Sequence, residues 1–463
     1  MNVVLIIFGM IMLILIWLLL DFNLGRRKHL STLRKMESPV LYSEFEIFST
    51  GKDLFRDFFT ELRRAEKHIH VLFYIVKEDS FSQEFLEILK EKAKEGVEVR
   101  LMLDRLGSWK VKKNTIKSLR KEGVQFAFIN KVKLPYLFYS SQVRNHRKIT
   151  VIDGRIGYLG GFNIGLEYID QDPKLSPWRD YHLKITGEGV HFLQQEFLVD
   201  WQQCTGIQML PPITPSQEGK KNSQKTHFNF PESIRVGHHG WGLAEAAVEF
   251  YGGAKEAHTS TKESTKRPLV QMESHVDYFP ELPKGKIQHQ IMSTEAFQLE
   301  EMFIRLIQEA EKSIIIGTPY FIPSKKILKE LLNAVQRGVH LTILVPFVSD
   351  HILVQEASYR YLRPLLQAGA IVYHFQNGFY HAKALVIDNK ICELGTANLD
   401  KRSLYLNKEI NCYIYDPAFI DQVKQIIQKD IQDSKRLTLE TLNQPNLTRT
   451  IKEKLAGAIS YFL

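Results

Sequence analysis

The sequence predicts an α/β fold of two similar α/β/α lobes, each with a mixed sheet, preceded by one N-terminal transmembrane helix. Three observations lead to this prediction: an apolar run at the N-terminus, a motif that occurs twice, and a wider repeat around that motif. Alternating helices and apolar strands are typical of an α/β sandwich. Two copies in one chain indicate two such lobes, which we expect to be related by a pseudo-twofold axis.

The first element is an uncharged apolar run of 18 residues from Val3 to Leu20. At about 1.5 Å per residue it spans roughly 27 Å, enough for a bilayer core. A basic start and a small-residue cleavage site are both missing, which argues against a cleaved signal peptide. We therefore predict a retained single-pass anchor at 1–22. The basic "GRRKHL" opens a juxtamembrane linker at 23–44 and predicts a cytoplasmic catalytic body.

The repeated motif is carried by "RNHRKITVIDGRIGYLGGFN", which ends at residue 163, and by "HAKALVIDNKICELGTAN" at 381–398. A single copy is also typical of an ordinary edge strand with a charged end. Two copies with identical spacing make coincidence negligible. The residues in common are His146, Lys148, Asp153, Gly160 and Asn163, and then His381, Lys383, Asp388, Gly395 and Asn398.

The repeat extends beyond the motif and sets the domain boundaries. "AEKHIHVLFYIV" matches "AEKSIIIGTPYFI", and "EGVEVRLMLD" matches "RGVHLTILVP". We predict lobes at 45–213 and 289–440, with the motifs at 146–163 and 381–398. A polar, partly disordered insert at 214–288 separates them, because it is rich in Lys, Ser, Thr and Glu without periodicity. For the tail at 441–463, a membrane contact and a packed helix both remain open.

The motif residues indicate chemistry on an anion. Side chains alternate across a strand, so the His and Lys of each motif share one face, while Asp153 and Asp388 point away and are expected to hold turns. Lysine does not ligate cations, so two imidazoles, two ammonium groups and the amides of Asn163 and Asn398 suit a phosphate. One His can attack phosphorus while the other transfers protons. We expect no cofactor, metal or nucleotide.

A neutral imidazole must be oriented through its second nitrogen. The candidates for this role are Asp180 and Glu409, each of which lies downstream of the His in its own half; a surface position is the alternative for both. The "GHHGWG" segment at 237–242 lacks a third ligand at metal-site spacing.

Composition limits the partners. The net charge of +9 suits an acidic membrane surface or a nucleic acid, and charge alone does not choose between them. The three cysteines, an odd number, imply no disulfide framework. The oligomeric state is not readable from the sequence.

The doubled "HxKxxxxDxxxxxxGxxN" pattern, often called the HKD motif, identifies the chain as resembling the phospholipase D superfamily. "GGFNIGLEY", "WRDYHLKITGEGV" and "GTANLDKRSLYLN" resemble the bacterial cardiolipin synthases. The resemblance covers both lobes, the anchor and the tail, but not the insert.

The resemblance implies that two phosphatidylglycerol molecules in an anionic bacterial cell membrane become cardiolipin and glycerol through a phosphatidyl-histidine. It implies the catalytic set His146, Lys148, Asp153, His381, Lys383 and Asp388. The nucleophile is not decided by the sequence; we favour His146. Nucleic acid is not an expected partner.

Three other functions share part of this sequence pattern. A hydrolytic phospholipase D would use the same pocket with water as acceptor. A nuclease would gain nothing from an anchor, and a non-catalytic lipid-binding protein would not need two intact motifs. Apolar residues before each motif also predict a lipid-contacting pocket mouth, with a core position as the alternative. These residues are Leu134, Tyr136, Leu137, Phe138, Phe375, Phe379 and Tyr380.

Overall fold

The computed structural model describes residues 2–33, 36–209, 277–351, 353–444 and 447–461. The insert predicted at 214–288 lies outside the described residues up to position 276, and so does the "GHHGWG" segment at 237–242. The first strand after this gap begins at Ile287.

One N-terminal helix, α1 (Asn2–Leu30), precedes the first lobe, which alternates helices and strands in the order that the repeat predicts. The elements are α1 (Asn2–Leu30), β1 (Met36–Glu37), β2 (Leu41–Thr50), α2 (Gly51–Arg64), β3 (His68–Phe73), α3 (Ser80–Lys94), β4 (Glu98–Asp104), α4 (Lys113–Lys121), β5 (Gln125–Ile129), α5 (Leu137–Gln142), β6 (Ile149–Ile152), β7 (Ile156–Gly160), a 3-10 turn (Leu166–Ile169), β8 (Trp178–Gly187) and α6 (Gly189–Thr205).

The second lobe repeats this order and ends in additional helices. The elements are β9 (Ile287–Glu295), α7 (Gln298–Glu309), β10 (Ser313–Gly317), α8 (Lys325–Gln336), β11 (His340–Pro346), α9 (Val354–Ala368), β12 (Ile371–Phe375), β13 (Phe379–Tyr380), β14 (Ala384–Ile387), β15 (Ile391–Gly395), α10 (Lys401–Tyr405), β16 (Lys408–Ile414), α11 (Pro417–Gln432), β17 (Ser434–Leu437), α12 (Leu439–Asn443) and α13 (Leu447–Ile459).

Local sequence explains the helices of each lobe. The side chain of Thr50 accepts a hydrogen bond from the backbone of Asp53 and so caps the start of α2. Leu54, Phe58 and Leu62 then recur every four residues and are buried on one face of that helix. A helix with one apolar face is stable only against another layer, and α2 packs on the sheet of its lobe together with α3.

The strands of the two lobes pair in corresponding ways. The order is β5-β4-β3-β6-β7-β8-β2 in the first lobe and β17-β12-β11-β10-β14-β15-β16-β9 in the second. Three neighbouring strands of each lobe run parallel, β3 to β5 and β10 to β12. Because β2 pairs with both β8 and β9, the two sheets join into one large mixed sheet. The predicted α/β fold with mixed sheets is confirmed.

The lobes also share a hydrophobic core. Leu193 and Phe197 of α6 belong to the same buried cluster as Ile420 and Val423 of α11. A core that crosses the boundary holds the lobes in a fixed relation, because closely packed interiors resist displacement. This relation decides which groups of the two motifs meet.

Helix α1 is the one candidate for a membrane span among the described residues, with a mean hydropathy of 3.3 in its most apolar window. Helix α1 runs to Leu30 and β2 starts at Leu41, so both ends of the linker expected at 23–44 are regular structure.

Candidate active site

The two motif histidines line a single cavity of about 790 Å³. The backbone of each is held by the other lobe. The N–H of His146 donates to the carbonyl of Lys408 at 3.0 Å, and the N–H of His381 donates to the carbonyl of Arg179 at 2.7 Å. Each lobe therefore contributes to the position of the other lobe's histidine.

The orienting carboxylates are exchanged between the lobes. Nδ1 of His146 lies 2.9 Å from Oε2 of Glu409, and Nδ1 of His381 lies 2.5 Å from Oδ2 of Asp180. The sequence named both residues as candidates for orienting a histidine without assigning either to a particular ring. Each carboxylate contacts the histidine of the opposite half.

Strand pairing across the lobe boundary explains the exchange. Strand β8 runs parallel to β13, which ends directly before His381, and this register brings Asp180 to that ring. On the other side, an isolated parallel bridge joins Asn145 to Lys408 and so sets Glu409 beside the first motif.

Glu409 is fully buried and surrounded by donors. It accepts hydrogen bonds from the side chains of Thr396 (2.7 Å), Ser403 (2.8 Å) and Asn407 (3.2 Å) as well as from His146. Burial alone would raise the pKa of Glu409, but the charge and the hydrogen bond of His146 hold this pKa below its usual value. The group therefore stays ionised at neutral pH.

Asp180 depends on the glycine pair of the first motif. A Cβ on Gly161 would lie 2.0 Å from Oδ1 of Asp180, which no side chain could tolerate. The corresponding residue of the second motif is Thr396, whose hydroxyl instead donates to Glu409. Burial would raise the pKa of Asp180, but Lys383 and His381 lower it below its ordinary value.

Both imidazoles are neutral at pH 7. Burial lowers the pKa of His146, and the charge of Glu409 only partly offsets this. Burial and the charge of Lys383 lower the pKa of His381 to about 4, although Asp180 acts in the opposite direction. A neutral ring that donates from Nδ1 to a carboxylate carries its lone pair on Nε2, the nitrogen that a nucleophile or base needs.

The lysines lie behind the histidines rather than in the cavity wall. Nζ of Lys148 donates to the carbonyl of His146 at 2.8 Å, and Nζ of Lys383 donates to the carbonyl of His381 and lies 2.8 Å from its Nδ1. Burial lowers the pKa of Lys148 to about 7 and that of Lys383 to about 8. The sequence predicted that the His and Lys of each motif face the pocket together. The histidines line the cavity, but each lysine only contacts its histidine from behind.

The two asparagines are in the cavity wall. Oδ1 of Asn163 accepts from the backbone of Ile75 at 3.1 Å, which orients its amide. Asn398 lines the opposite part of the cavity, and its backbone N–H donates to Ser403.

The motif aspartates lie away from the site. Asp153 accepts from the backbone N–H groups of Glu66, Lys67 and His68 at 2.7 to 2.9 Å, and Asp388 binds the equivalent three groups at 311–313. Both therefore fasten the start of a neighbouring strand. A catalytic role for Asp153 and Asp388 is not compatible with this placement, and their bonds extend beyond the local turns expected from the sequence.

Several wall residues were not found by sequence reasoning. The ring of Tyr74 lies 5.1 Å from that of His146, and the ring of Trp178 lies 4.9 Å from that of His381. Lys77, Tyr320 and Arg402 also line the cavity. Tyr74 and Tyr320 follow the equivalent strands β3 and β10, and that shared position was the available signal.

The expected apolar mouth is only partly present. Phe375, Phe379 and Tyr380 are buried in the core, so the prediction that they contact lipid is wrong. Leu134, before α5, and Leu137, the first residue of α5, are exposed. In the described part of the chain, no three His, Cys, Asp or Glu side chains are grouped as metal ligands would be.

Comparison with known proteins identifies the family. The family model described as cardiolipin synthase, PLD-like domain, matches residues 58–173 and 303–431. The minor cardiolipin synthase ClsB of Bacillus subtilis strain 168 is 35% identical over 466 residues, covering 100% of both chains. The chain belongs to the phospholipase D-like cardiolipin synthase family.

Other members of the cardiolipin synthase family and a solved structure extend the comparison. The major cardiolipin synthase ClsA of Bacillus subtilis is 33% identical over 436 residues, covering 92% of this chain and 78% of that protein. The crystal structure of phosphatidylserine synthase from Haemophilus influenzae Rd KW20 superposes with a TM-score of 0.63 at 16% identity, covering 92% and 97% of the two chains. That likeness concerns the fold alone.

Proposed function

We propose that the protein is a cardiolipin synthase that transfers a phosphatidyl group between two phosphatidylglycerol molecules, giving cardiolipin and glycerol. The observation that carries the proposal is the pair of imidazoles in one cavity, each bound through Nδ1 to a carboxylate of the opposite lobe. Such an arrangement supplies one nucleophile and one proton carrier to the same phosphorus atom. Membership of the cardiolipin synthase family supports the choice of substrate.

In the first step, Nε2 of His146 attacks the phosphorus of one phosphatidylglycerol. The bond from phosphorus to the glycerol oxygen breaks, and His381 gives its Nε2 proton to that oxygen. The product is glycerol and a phosphatidyl group on His146. Asp180 stabilises the imidazolium form of His381 that this step requires, and the negative phosphodiester raises the pKa of that ring on binding.

In the second step, the glycerol hydroxyl of another phosphatidylglycerol gives its proton to His381 and attacks phosphorus. The bond between phosphorus and His146 breaks, and cardiolipin leaves. One phosphodiester replaces another, so the balance requires no energy-rich cofactor. Because Glu409 shares its charge among four donors, we assign the neutral, attacking role to His146.

The remaining polar groups stabilise the phosphate oxygens. Asn163 and Asn398 offer amides in the cavity wall, and Lys148 and Lys383 lie buried behind it. A bound phosphate favours the protonated form of both lysines, which then supply positive charge. Positive charges and hydrogen-bond donors that are already in place where negative charge develops in the transition state are the usual source of large rate accelerations. We assign no catalytic role to Asp153 or Asp388.

The protein is proposed to span a bacterial cell membrane once, through α1, with its catalytic body in the cytoplasm. The apolar length of α1 and the basic residues Arg26, Arg27 and Lys28 at its end support this orientation. We further propose the division into anchor (1–22), lobes (45–213 and 289–440), insert (214–288) and tail (441–463).

The proposal is tested with purified protein and phosphatidylglycerol in mixed micelles containing a chelator. We expect cardiolipin and glycerol in equal amounts. Phosphatidic acid as the main product would instead indicate a hydrolase, and activity that disappears with chelator would contradict the metal-independent scheme. The His381→Ala variant serves as the inactive control.

A further inference from the structure

The C-terminal helix α13 carries an exposed apolar stripe. Leu447, Ile451, Leu455 and Ile459 recur every four residues and are 77, 51, 56 and 44% exposed. Residues four apart advance by only about 40° around a helix, so the four side chains lie along one side. We call this row of four residues the α13 stripe.

The opposite side of α13 is fastened to α9. The guanidinium of Arg363 binds both carboxylate oxygens of Glu453 at 2.7 and 2.8 Å, and Lys452 pairs with Glu356 at 3.2 Å. Ala456 is buried in the same contact. These bonds hold the helix with its apolar stripe directed away from the lobe.

The stripe ends beside the membrane helix. Tyr461, two residues after α13, packs edge-on against Phe22 with ring centroids 5.6 Å apart. Phe22 follows the apolar run of α1 by two residues, so in the proposed span it lies where the bilayer core ends. Lys401 donates to Ser460 at 2.9 Å and fixes this end of the helix to the lobe.

A second apolar patch lies on another side of Phe22. Phe22 also contacts Tyr139 of α5 at 5.3 Å, and the carboxylate of Asp21 accepts from the backbone of Tyr139 at 2.7 Å. Leu134 and Leu137, at the start of this segment, are 79 and 38% exposed.

We propose that the α13 stripe and the Leu134–Leu137 patch rest in the lipid surface beside α1, so that α13 is an in-plane membrane helix. The inference rests on the proposed membrane span of α1. A lipid surface is the occupant that fits, because Tyr461 and Tyr139, next to the two patches, both pack on Phe22 at the end of the apolar run, and the exposed Lys454 borders the stripe. Apolar side chains bordered by lysines are typical of helices at anionic membrane surfaces.

The contact has a consequence for the reaction. Helix α5 ends four residues before His146, and α1 packs directly on α5. Lipid contacts at α1, at the α13 stripe and at the Leu134–Leu137 patch would together fix the tilt of the catalytic body relative to the membrane. The cavity would then stay at a constant height above the headgroups from which both substrates come.

Site-directed fluorescence tests the proposal in the full-length protein. Cysteines are introduced singly by Ile451→Cys, Leu455→Cys, Thr450→Cys and Leu13→Cys, and labelled with nitrobenzoxadiazole. The partly exposed Cys204 is first replaced by serine, while Cys392 and Cys412 are buried. Thr450 is the matched control, because it is exposed on the same helix about 100° around from Ile451.

In phosphatidylglycerol-containing vesicles we expect labels at 451 and 455 to be quenched at least threefold more by spin-labelled lipid than by aqueous iodide. The label at 450 should show the reverse. Iodide quenching at 455 equal to that at 450 would overturn the proposal. Shielding of 455 from both quenchers would also overturn it and would indicate a second copy or another segment of the chain on the stripe.

The label at Leu13 distinguishes failure of the in-plane helix from failure of the membrane span of α1. Lipid quenching at 13 without lipid quenching at 455 refutes the in-plane helix and leaves the span intact, whereas no lipid quenching at 13 refutes the span itself. As a functional readout, Leu455→Glu should lower turnover of vesicle-bound phosphatidylglycerol several-fold and leave turnover of dispersed short-chain phosphatidylglycerol unchanged. Thr450→Glu should alter neither.

Discussion

The sharpest prediction concerns Asp180, the carboxylate of the first lobe that binds His381 of the second lobe. In Asp180→Asn, the ring of His381 loses an ionised acceptor at 2.5 Å in a site where Asp180 is fully buried, so water cannot replace it. An asparagine amide can donate to Nδ1 and stabilise the tautomer that carries its hydrogen on Nε2. His381 would then be unable to accept the proton of the incoming hydroxyl.

We expect kcat of Asp180→Asn to fall by about 10²–10⁴-fold, which corresponds to roughly 3–5 kcal/mol in the barrier. KM should change little, because the substituted group does not line the cavity. The assay is cardiolipin formation in mixed micelles with phosphatidylglycerol varied, together with the melting temperature of each protein. Glu409→Gln should behave in the same way through His146.

Asp430→Asn is the matched control. Asp430 is a buried carboxylate that accepts from the hydroxyl of Tyr181, the residue next to Asp180, but contacts neither histidine. Its substitution should lower the melting temperature and leave kcat within about threefold of the wild type. A kcat for Asp180→Asn within tenfold of the wild type, in a folded protein, would refute the exchanged orientation of the rings.

Four other perturbations have defined outcomes. His146→Ala and His381→Ala should each reduce cardiolipin formation to background, and near-normal turnover in either would contradict a site shared by both lobes. Gly161→Ala should lower kcat by at least tenfold because its Cβ displaces Asp180, whereas Gly9→Ala, which has nothing within 4 Å, should not. Asp153→Ala should lose three backbone hydrogen bonds, about 2–4 kcal/mol of unfolding free energy, and keep its kcat below the melting transition; a large loss of kcat with normal stability would restore a catalytic role. Burial raises the pKa of Glu393 from 4.5 to about 8, so the folded state keeps a proton that the unfolded state loses, and stability falls as pH rises between these values. Glu393→Gln should flatten this fall and be more stable at pH 8, by up to about 5 kcal/mol, in thermal unfolding across pH.

The two lobes and the succession of helices and strands along the chain could be predicted because they depend on local patterns. The doubled motif and the alternation of helix and strand are properties of consecutive residues, and strand alternation correctly directed Asp153 and Asp388 away from His146 and His381. These inferences need no knowledge of how the lobes face each other.

What the sequence could not predict depends on packing between distant segments. The partner of Asp180 is decided by the register of β8 against β13, which no periodicity encodes. Likewise, Phe375 and Phe379 are buried because the second lobe and β8 cover them, although their sequence resembles an apolar pocket mouth. Lys148 and Lys383 lie behind the histidines because each Nζ donates a hydrogen bond to a histidine carbonyl, and no sequence pattern shows that contact.

The covalent route through histidine is the central claim, and isotope exchange in the wild-type protein tests it most directly. Labelled glycerol is added with phosphatidylglycerol, and the initial rate is followed before cardiolipin accumulates. A phosphatidyl-histidine can be attacked by glycerol as well as by lipid, so label should enter phosphatidylglycerol at a rate comparable to cardiolipin formation. Cardiolipin formation with no label in phosphatidylglycerol would mean direct displacement between the two lipids, and the two histidines would need different roles.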